Sequence, residues 1–210
     1  MIVAILSALT LAAGAGPAPQ PAIARTVAAE RRDTAVFAGG CFWGIQAVFE
    51  RIKGVTATTA GFAGGTVPSP SYDLVSTGTT GYAESVEVIY DPAQVSYLTL
   101  LRVFFAVGLD PTELNRQGPD VGTQYRSALF VRNAAQQAAA RSYIAQLTQQ
   151  HVYSRPIVTE VTPLDKFYPA EDYHQHYFDT NPDNPYIVYN DKPKVEQLKK
   201  QFPALYRSVG

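Results

Sequence analysis

Residues 34–54 of the 210-residue chain read TAVFAGGCFWGIQAVFERIKG. The first five residues form a short apolar run that predicts a β-strand, and the run stops at Gly39-Gly40. After the glycines, apolar side chains recur at helical spacing from Cys41 to Ile52, and Lys53-Gly54 predicts the end of the helix. We therefore expect a strand that turns directly into a helix, with Cys41 in the first helical turn.

Strand and helix patterns then alternate irregularly over the rest of the chain. Strand patterns lie at residues 55–62, 84–90, 127–131 and 157–161. Helical patterns follow Ser96, run from Asn133 to Gln150, and occur in short stretches at 171–178 and 194–201. Residues 61–80 and 110–125 are loops whose unusual length points to a function. Without strict βαβ order, the pattern predicts an α+β protein: a two-layer α/β sandwich with a mixed β-sheet in a single catalytic domain.

The amino-acid composition excludes some classes of protein for this chain. With 46% hydrophobic and 17% charged residues the chain can build a core, and a net charge of -1 offers no basic footprint for nucleic acid. The chain has one cysteine, so an intramolecular disulfide is impossible. Cys41 is therefore buried filler, an intermolecular partner or a reactive thiol.

The N-terminus reads as a targeting segment. An apolar and small-residue run at 2–15 has the length of a signal-peptide core, and Ala22-Ile23-Ala24 fits a cleavage site. No Lys or Arg precedes the run, so a disordered Ala/Pro-rich leader is the alternative. We expect residues 1–25 to be a signal peptide or disordered leader and 26–210 to be the catalytic domain. The protein is then exported to the periplasm, or cytoplasmic if the leader does not function.

The position of Cys41 favours a reactive thiol. Unpaired N–H groups and the positive end of the helix dipole at a first turn favour an anion, which predicts a lowered thiol pKa. The preceding glycines let backbone approach closely and leave the sulfur accessible.

Seven ordered motifs are similar to those of the A-type methionine sulfoxide reductases. They are GCFWG at 40–44, GFAGG at 61–65, SPSY at 69–72, TGYAE at 80–84, YDP at 90–92, RQGPDVGTQYRS at 116–127 and FYPAEDYHQ at 167–175. The resemblance spans about residues 34–205. It implies a peptide-methionine (S)-S-oxide reductase that repairs oxidised proteins during oxidative stress.

The resemblance also implies roles for four catalytic residues. Cys41 attacks the sulfoxide sulfur and becomes a sulfenic acid, which is a reversible product. Glu84 supplies the proton for the sulfoxide oxygen, and this requires burial to raise its pKa. Tyr72 and Tyr125 donate hydrogen bonds to that oxygen without carrying charge. An exposed strand-start glutamate and packing tyrosines are the alternatives for these positions.

Four further residues match the substrate-binding positions. Phe42 and Trp43 resemble the walls around the S-methyl group, where contact with a ring is favourable. Asp120 matches a carboxylate that helps to hold the substrate backbone, and Tyr177 matches a tyrosine of the same pocket. The alternatives are a loop turn for Asp120 and core packing for Tyr177.

Residues 181–191, NPDNPYIVYND, resemble the one-cysteine branch of the family. With no cysteine to resolve the sulfenic acid, the resemblance implies an external thiol reductant, such as a thioredoxin-like or glutaredoxin-like protein, and no cofactor. We expect a monomer with no stable membrane association. His174 and His176 do not share a helical face, so we expect no metal. Gln46, Tyr82 and Leu109 depart from residues that are common in the family.

Two other functions use the same features. A thiol peroxidase also needs an activated cysteine, but peroxide needs no methyl pocket of the Phe42-Trp43 kind. A catalytically inactive exported module would keep the pocket and bind oxidised methionine without turnover. Faster turnover of peroxide than of methyl sulfoxides identifies the first, and failure to release methionine identifies the second.

Overall fold

A six-stranded sheet forms the centre of the molecule, and the computed structural model describes residues 32–209. Its strands are β1 (Asp33–Gly39), β2 (Val55–Ala63), β3 (Ala83–Tyr90), β6 (Ser127–Val131), β7 (Glu160–Pro163) and β8 (Phe167–Pro169). A separate hairpin consists of β4 (Arg116–Gln117) and β5 (Asp120–Val121). The helices are α1 (Phe42–Glu50), α2 (Tyr72–Ser76), α3 (Tyr97–Val103), α4 (Ala134–Gln149), α5 (Tyr177–Thr180) and α6 (Lys192–Gln201).

The strand order is β7-β6-β1-β3-β2-β8. Strand β1 is central and antiparallel to both neighbours, with Phe37 opposite Val86 of β3 and Leu129 of β6. The β6–β7 pair is parallel, so the sheet is mixed. The predicted α+β architecture with a mixed sheet is confirmed.

The two faces of β1 bury different side chains because successive strand residues point to opposite sides. Phe37 faces the large core, where its ring stacks on Phe49 of α1 with centroids 4.5 Å apart. Val36 and Ala38 face a smaller cluster of mostly small residues that Leu164 and Phe167 cover. The helices therefore form the second layer on the Phe37 side of β1.

Helix α1 is buried along its length except at Trp43, which is partly exposed. A helix that is apolar on nearly all sides belongs inside the core, and α1 packs against β2 and α6. The predicted helix starts are also observed, because the Ser96 hydroxyl accepts from the Thr99 N–H at 3.1 Å and the Asn133 side chain accepts from the Gln136 N–H at 2.9 Å.

Several segments differ from the prediction. The loop at 61–80 contains α2, and the loop at 110–125 contains the β4–β5 hairpin. The strand expected at 157–161 begins later, because the Val158 N–H bonds to the Pro111 carbonyl at 2.8 Å instead of to the sheet. The helix expected at 171–178 is broken at His176, whose left-handed φ of 54° separates a 3₁₀ turn from α5. Strand β8 was not predicted, since it has three residues and ends in proline.

The candidate leader, residues 1–25, lies outside the described residues. No helix within 32–209 is both long and apolar enough to cross a bilayer. The helix α3 continues as a π-helical turn, Phe104–Gly108, and a second π-helical turn, Ile187–Asp191, leads into α6. Both turns contribute residues to a cavity that Cys41 also lines.

Candidate active site

Cys41 lies between β1 and α1, where it is the N-cap residue of the helix. The turn requires glycine at position 40, because its φ is +88° and an added Cβ would lie 2.6 Å from the Gln117 Cβ. The predicted strand–turn–helix placement of the cysteine is therefore confirmed, and the sulfur faces the first turn of α1.

The predicted accessibility and lowered pKa of the thiol are wrong for this structure. Cys41 is only 7% exposed, and burial is the largest influence that raises its pKa well above the ordinary value of 9.0. The negative charges of Glu84 and Asp191 raise it further, while the Trp43 backbone N–H and the Lys194 ammonium lower it less. The resting sulfur is consequently a protonated thiol at neutral pH.

Glu84 is the second residue of β3, and its carboxyl is buried beneath the start of α1. It is 2% exposed, and its Oε2 accepts the Phe42 backbone N–H at 3.0 Å. That hydrogen bond lowers the carboxyl pKa, but burial outweighs it and raises the pKa from 4.5 to about 8. The requirement that burial keep this acid protonated near neutral pH is met.

A cavity of about 330 Å³ brings the predicted site residues together. Its lining comprises Cys41, Phe42, Trp43, Tyr72, Glu84, Asp120, Tyr125, Asn184 and Tyr186. All predicted site residues except Tyr177 are in this set. The thiol and the neutral carboxyl therefore share one compartment.

Tyr177 lies behind the cavity wall. Its ring stacks on Trp43 with centroids 3.9 Å apart and planes at 12°, while its hydroxyl accepts from Asn184 at 3.3 Å. The stacking places Trp43 between Tyr177 and the cavity, so Tyr177 orients the indole instead of lining the pocket as predicted.

Tyr72 and Tyr125 come from α2 and from the 3₁₀ turn at 123–125, which are the ordered parts of the two long loops. Burial is the main influence that raises the pKa of each phenol, and the Glu84 charge raises both further. Each remains a neutral hydrogen-bond donor at physiological pH.

His174 is a site residue that sequence reasoning did not assign. It is buried, its Nδ1 accepts the Trp43 indole N–H at 3.2 Å, and its ring lies 4.1 Å from that of Tyr72. Burial lowers its pKa, so the neutral imidazole persists as an acceptor. His174 therefore fixes one wall of the cavity, and only its place within the FYPAEDYHQ motif could have indicated this.

Tyr186 is a second site residue that the sequence did not indicate. Its hydroxyl donates a short hydrogen bond to the Asp120 carboxylate, and its ring meets Trp43 edge to face with centroids 5.8 Å apart. Asp120 is thus held by a partner 66 residues away in sequence. No local pattern could have indicated such a pairing.

A buried ion pair lies under the other side of α1. The Lys194 ammonium bonds to Asp191 Oδ1 at 3.0 Å, and Asp191 is fully buried. This pair packs on Gly44, where an added Cβ would lie 2.1 Å from Asp191 Oδ1. The glycine after Trp43 is explained by this close approach.

Two departures from the family pattern have structural roles. Gln46 is buried, with its side chain donating to Gln175 Oε1 at 3.2 Å and accepting the His176 N–H at 2.9 Å. The Tyr82 hydroxyl donates to the Val67 carbonyl at 2.8 Å. Gln46 therefore ties helix α1 to the segment around His176, and Tyr82 ties the loop at Val67 to the start of β3. Within residues 32–209, no group of three His, Cys, Asp or Glu side chains could hold a metal.

A thiol and a neutral carboxyl within one ring-walled cavity define a cysteine-dependent oxidoreductase on an α+β fold. The sequence profile of peptide methionine sulfoxide reductases matches residues 33–205. Peptide methionine sulfoxide reductase MsrA 2 of Mesorhizobium japonicum is 54% identical over 85% of this chain and 92% of its own. The Synechocystis protein of the same name is 50% identical, covering 81% and 79% respectively.

Solved structures agree with these relatives. Reduced Mxr1 from Saccharomyces cerevisiae has a TM-score of 0.66 and 35% identity, covering 73% of this chain and 87% of its own. Methionine sulfoxide reductase A of Corynebacterium diphtheriae has a TM-score of 0.64 and 37% identity, covering 72% and 76%. The chain belongs to the peptide methionine sulfoxide reductase family, as an A-type enzyme acting on the S epimer. This membership favours the reductase over the peroxidase and the binding module.

We expect Glu84→Gln to change how stability depends on pH. In the wild type the folded carboxyl is neutral up to about pH 8, whereas the unfolded one ionises near 4.5. Stability therefore falls as pH rises between these values, by at most about 1.4 kcal/mol per pH unit. Glutamine keeps an acceptor for the Phe42 N–H and cannot ionise, so urea unfolding should show the variant gaining stability relative to wild type as pH rises.

Glu87→Gln, on the same strand, is the matched control for that experiment. A constant stability difference between wild type and Glu84→Gln from about pH 5 to pH 8 would contradict a neutral buried Glu84.

We expect His174→Phe to lower kcat/KM for the sulfoxide by about tenfold or more, because it leaves the part-buried Trp43 indole N–H without its acceptor. His174→Asn, which keeps an acceptor near the Nδ1 position, should retain more activity. Trp43 is the only tryptophan, so its fluorescence reports its environment directly. Wild-type emission and activity in His174→Phe would show that the hydrogen bond does not position the indole.

Proposed function

We propose that Cys41 reduces the S epimer of methionine sulfoxide by accepting its oxygen, with Glu84 as the proton donor. The observation that carries the proposal is the shared cavity: the sulfur of Cys41 and the neutral carboxyl of Glu84 both line it. The roles of the other lining residues follow from the chemistry of this oxygen transfer.

The sulfoxide oxygen binds among three donors. The Glu84 carboxyl and the phenols of Tyr72 and Tyr125 line the cavity together, and preorganised donors stabilise the charge that develops on an oxygen. When Glu84 gives its proton to this oxygen, the substrate sulfur becomes electrophilic. A carboxylate then stands near Cys41, ready to take the thiol proton.

This exchange allows a thiol whose pKa is raised by burial to react, because the base that takes its proton forms during the reaction. The thiol sulfur attacks the substrate sulfur as its proton passes to Glu84, so a sulfur–sulfur bond forms and the carboxyl is neutral again. That bond breaks when the oxygen moves to Cys41. Oxygen leaves the methionine sulfur and bonds to the Cys41 sulfur, so the products are methionine and a sulfenic acid. The substrate sulfur is reduced by two electrons and the cysteine sulfur is oxidised by two.

Phe42 and Trp43 supply the apolar wall against which the S-methyl group packs. The indole is fixed by Tyr177 stacking and by its bond to His174, so the methyl group has a defined place relative to the thiol. Asp120, held by Tyr186, is the acceptor for a backbone N–H of the substrate.

Regeneration requires thiols from outside the chain. Cys41 is the only cysteine, so its sulfenic acid cannot form an intramolecular disulfide. A thioredoxin-like or glutaredoxin-like protein supplies the thiols. The substrates are oxidised proteins, oxidised peptides and free methionine sulfoxide, and the enzyme works as a monomer.

We further propose that residues 1–25 direct export to the periplasm and that residues 26–210 form the mature catalytic domain. The family match at 33–205 begins after this segment. The intact mass of the protein recovered from the periplasm should equal that of the chain cleaved near Ala24. Full-length protein confined to the cytoplasm would contradict export.

Without reductant, the wild type should release about one methionine per Cys41 and then stop, because each sulfur accepts one oxygen. Cys41→Ser should release none, since a hydroxyl cannot accept oxygen in this way. Quenched-flow assays with an S-sulfoxide peptide measure the burst, and a sulfenic-acid trap with mass spectrometry locates the oxidised residue. Methionine release by Cys41→Ser at the wild-type rate would refute the proposal.

A further inference from the structure

A second cavity, of about 290 Å³, also reaches Cys41. Leu109, Pro119, Asn190 and Lys194 line it, and none of these lines the cavity that holds Glu84. Cys41, Asp120 and Tyr186 line both cavities. Cys41 therefore borders two compartments although it is only 7% exposed.

The hydrogen bond from Tyr186 to Asp120 marks the boundary between the two compartments, since both of its residues belong to both linings. The first cavity contains the Glu84 carboxyl, the phenols of Tyr72 and Tyr125, and the aromatic rings of Phe42 and Trp43. Charged side chains and an apolar patch at Leu109 line the second cavity. The two sides of the sulfur thus have different chemistry.

Reduction of a sulfenic acid needs room for a thiolate on one side of the sulfur and a proton donor for the leaving oxygen on the other. An incoming thiolate attacks the Cys41 sulfur along the line of the S–O bond, opposite the oxygen that leaves, and the rate depends on access to that sulfur. The leaving oxygen needs a proton, and Glu84 lies in the first cavity. The attacking thiolate must then arrive from the opposite side.

The second cavity has features that suit a thiolate. The Lys194 ammonium, which is also bonded to Asp191 at 3.0 Å, lines it, and a cation favours the deprotonated form of a thiol. Two of the three carboxylates that line it have cationic partners, because Asp110 contacts Arg155 at 3.2 Å and Glu113 contacts Arg116 at 3.5 Å. The third, Asp120, accepts the hydrogen bond from Tyr186. Its volume is near the lower end of small-molecule sites, which begin at about 300 Å³.

We propose that the second cavity is the entry site for the reductant thiol, so that the sulfoxide and the reductant reach Cys41 from opposite sides. This rests on the proposed sulfenic-acid intermediate. A thiolate bonds to the Cys41 sulfur, the S–O bond breaks, and hydroxide takes the Glu84 proton to leave as water. A second thiol cleaves the mixed disulfide, releasing the reductant's disulfide and restoring Cys41, and the proton lost by the incoming thiol restores Glu84.

Leu109→Trp tests this proposal because the larger ring fills the second cavity without touching the first. Leu114→Trp, in the same loop but 66% exposed, is the matched control. We expect the reductant-free burst of methionine and the KM for the sulfoxide to stay at wild-type values in both variants. In Leu109→Trp alone, kcat/KM for the reductant should fall by about tenfold or more, since obstructed access misplaces the attacking sulfur.

Two reductants distinguish the source of the thiol: dithiothreitol, and thioredoxin with its reductase. If kcat/KM falls for both reductants, every thiol enters through the second cavity. If kcat/KM falls for thioredoxin alone, the second cavity receives a cysteine carried by a protein. Pro119→Trp, an exposed position at the cavity rim, repeats the test where Leu109→Trp does not fold.

Two outcomes would overturn the entry site. Unchanged reductant kinetics in the cavity-filling variants would place the thiol elsewhere, and a raised KM for the sulfoxide would show that the second cavity holds substrate. Failure of the wild type to show a burst would contradict the proposed function itself, independently of the second cavity.

Discussion

The burial of the Glu84 carboxyl beneath the N-terminus of α1 is the constraint on which the rest of the site depends. A helix N-terminus favours an anion, and the Phe42 N–H does bond to Glu84 at 3.0 Å. Exclusion from water outweighs that single bond and keeps the pKa near 8. Strand β3 supplies the protonated acid and the strand–glycine–glycine–cysteine turn supplies the thiol of the same cavity, which neither element could provide alone.

The same balance explains the state of the thiol. Cys41 occupies the helix end that should favour its thiolate, yet full burial and two neighbouring carboxyl groups act against ionisation. A neutral thiol and a neutral acid can share a water-excluded space, whereas two anions there would repel each other strongly. We expect this state to protect the resting enzyme from adventitious oxidation, because oxidation follows thiolate character and exposure. In the mechanism that we propose, activation of the thiol is coupled to the arrival of a substrate oxygen that takes the Glu84 proton.

Local patterns in the sequence were sufficient to predict the strand–turn–helix unit, five of the strands and two helix caps, since alternation, helical spacing and capping residues are local signals. They could not predict β8 or the breaks near His176, where tertiary contacts override weak local preferences. Motif resemblance identified Glu84, which position alone did not distinguish from Glu87. The partners that fix the site, His174 for Trp43 and Tyr186 for Asp120, join residues far apart in the chain. The sign of the Cys41 pKa shift depends on burial, which no local rule supplies.

The protonation state of Glu84 in the resting enzyme decides the mechanism, and infrared difference spectroscopy measures it directly. Spectra of the wild type minus Glu84→Gln isolate the carboxyl stretch of this residue as the pH is changed. The account predicts a protonated-acid band at pH 7 that disappears with a midpoint near pH 8. A carboxylate band already complete at pH 6 would show that Glu84 is ionised in the resting enzyme and would contradict the account.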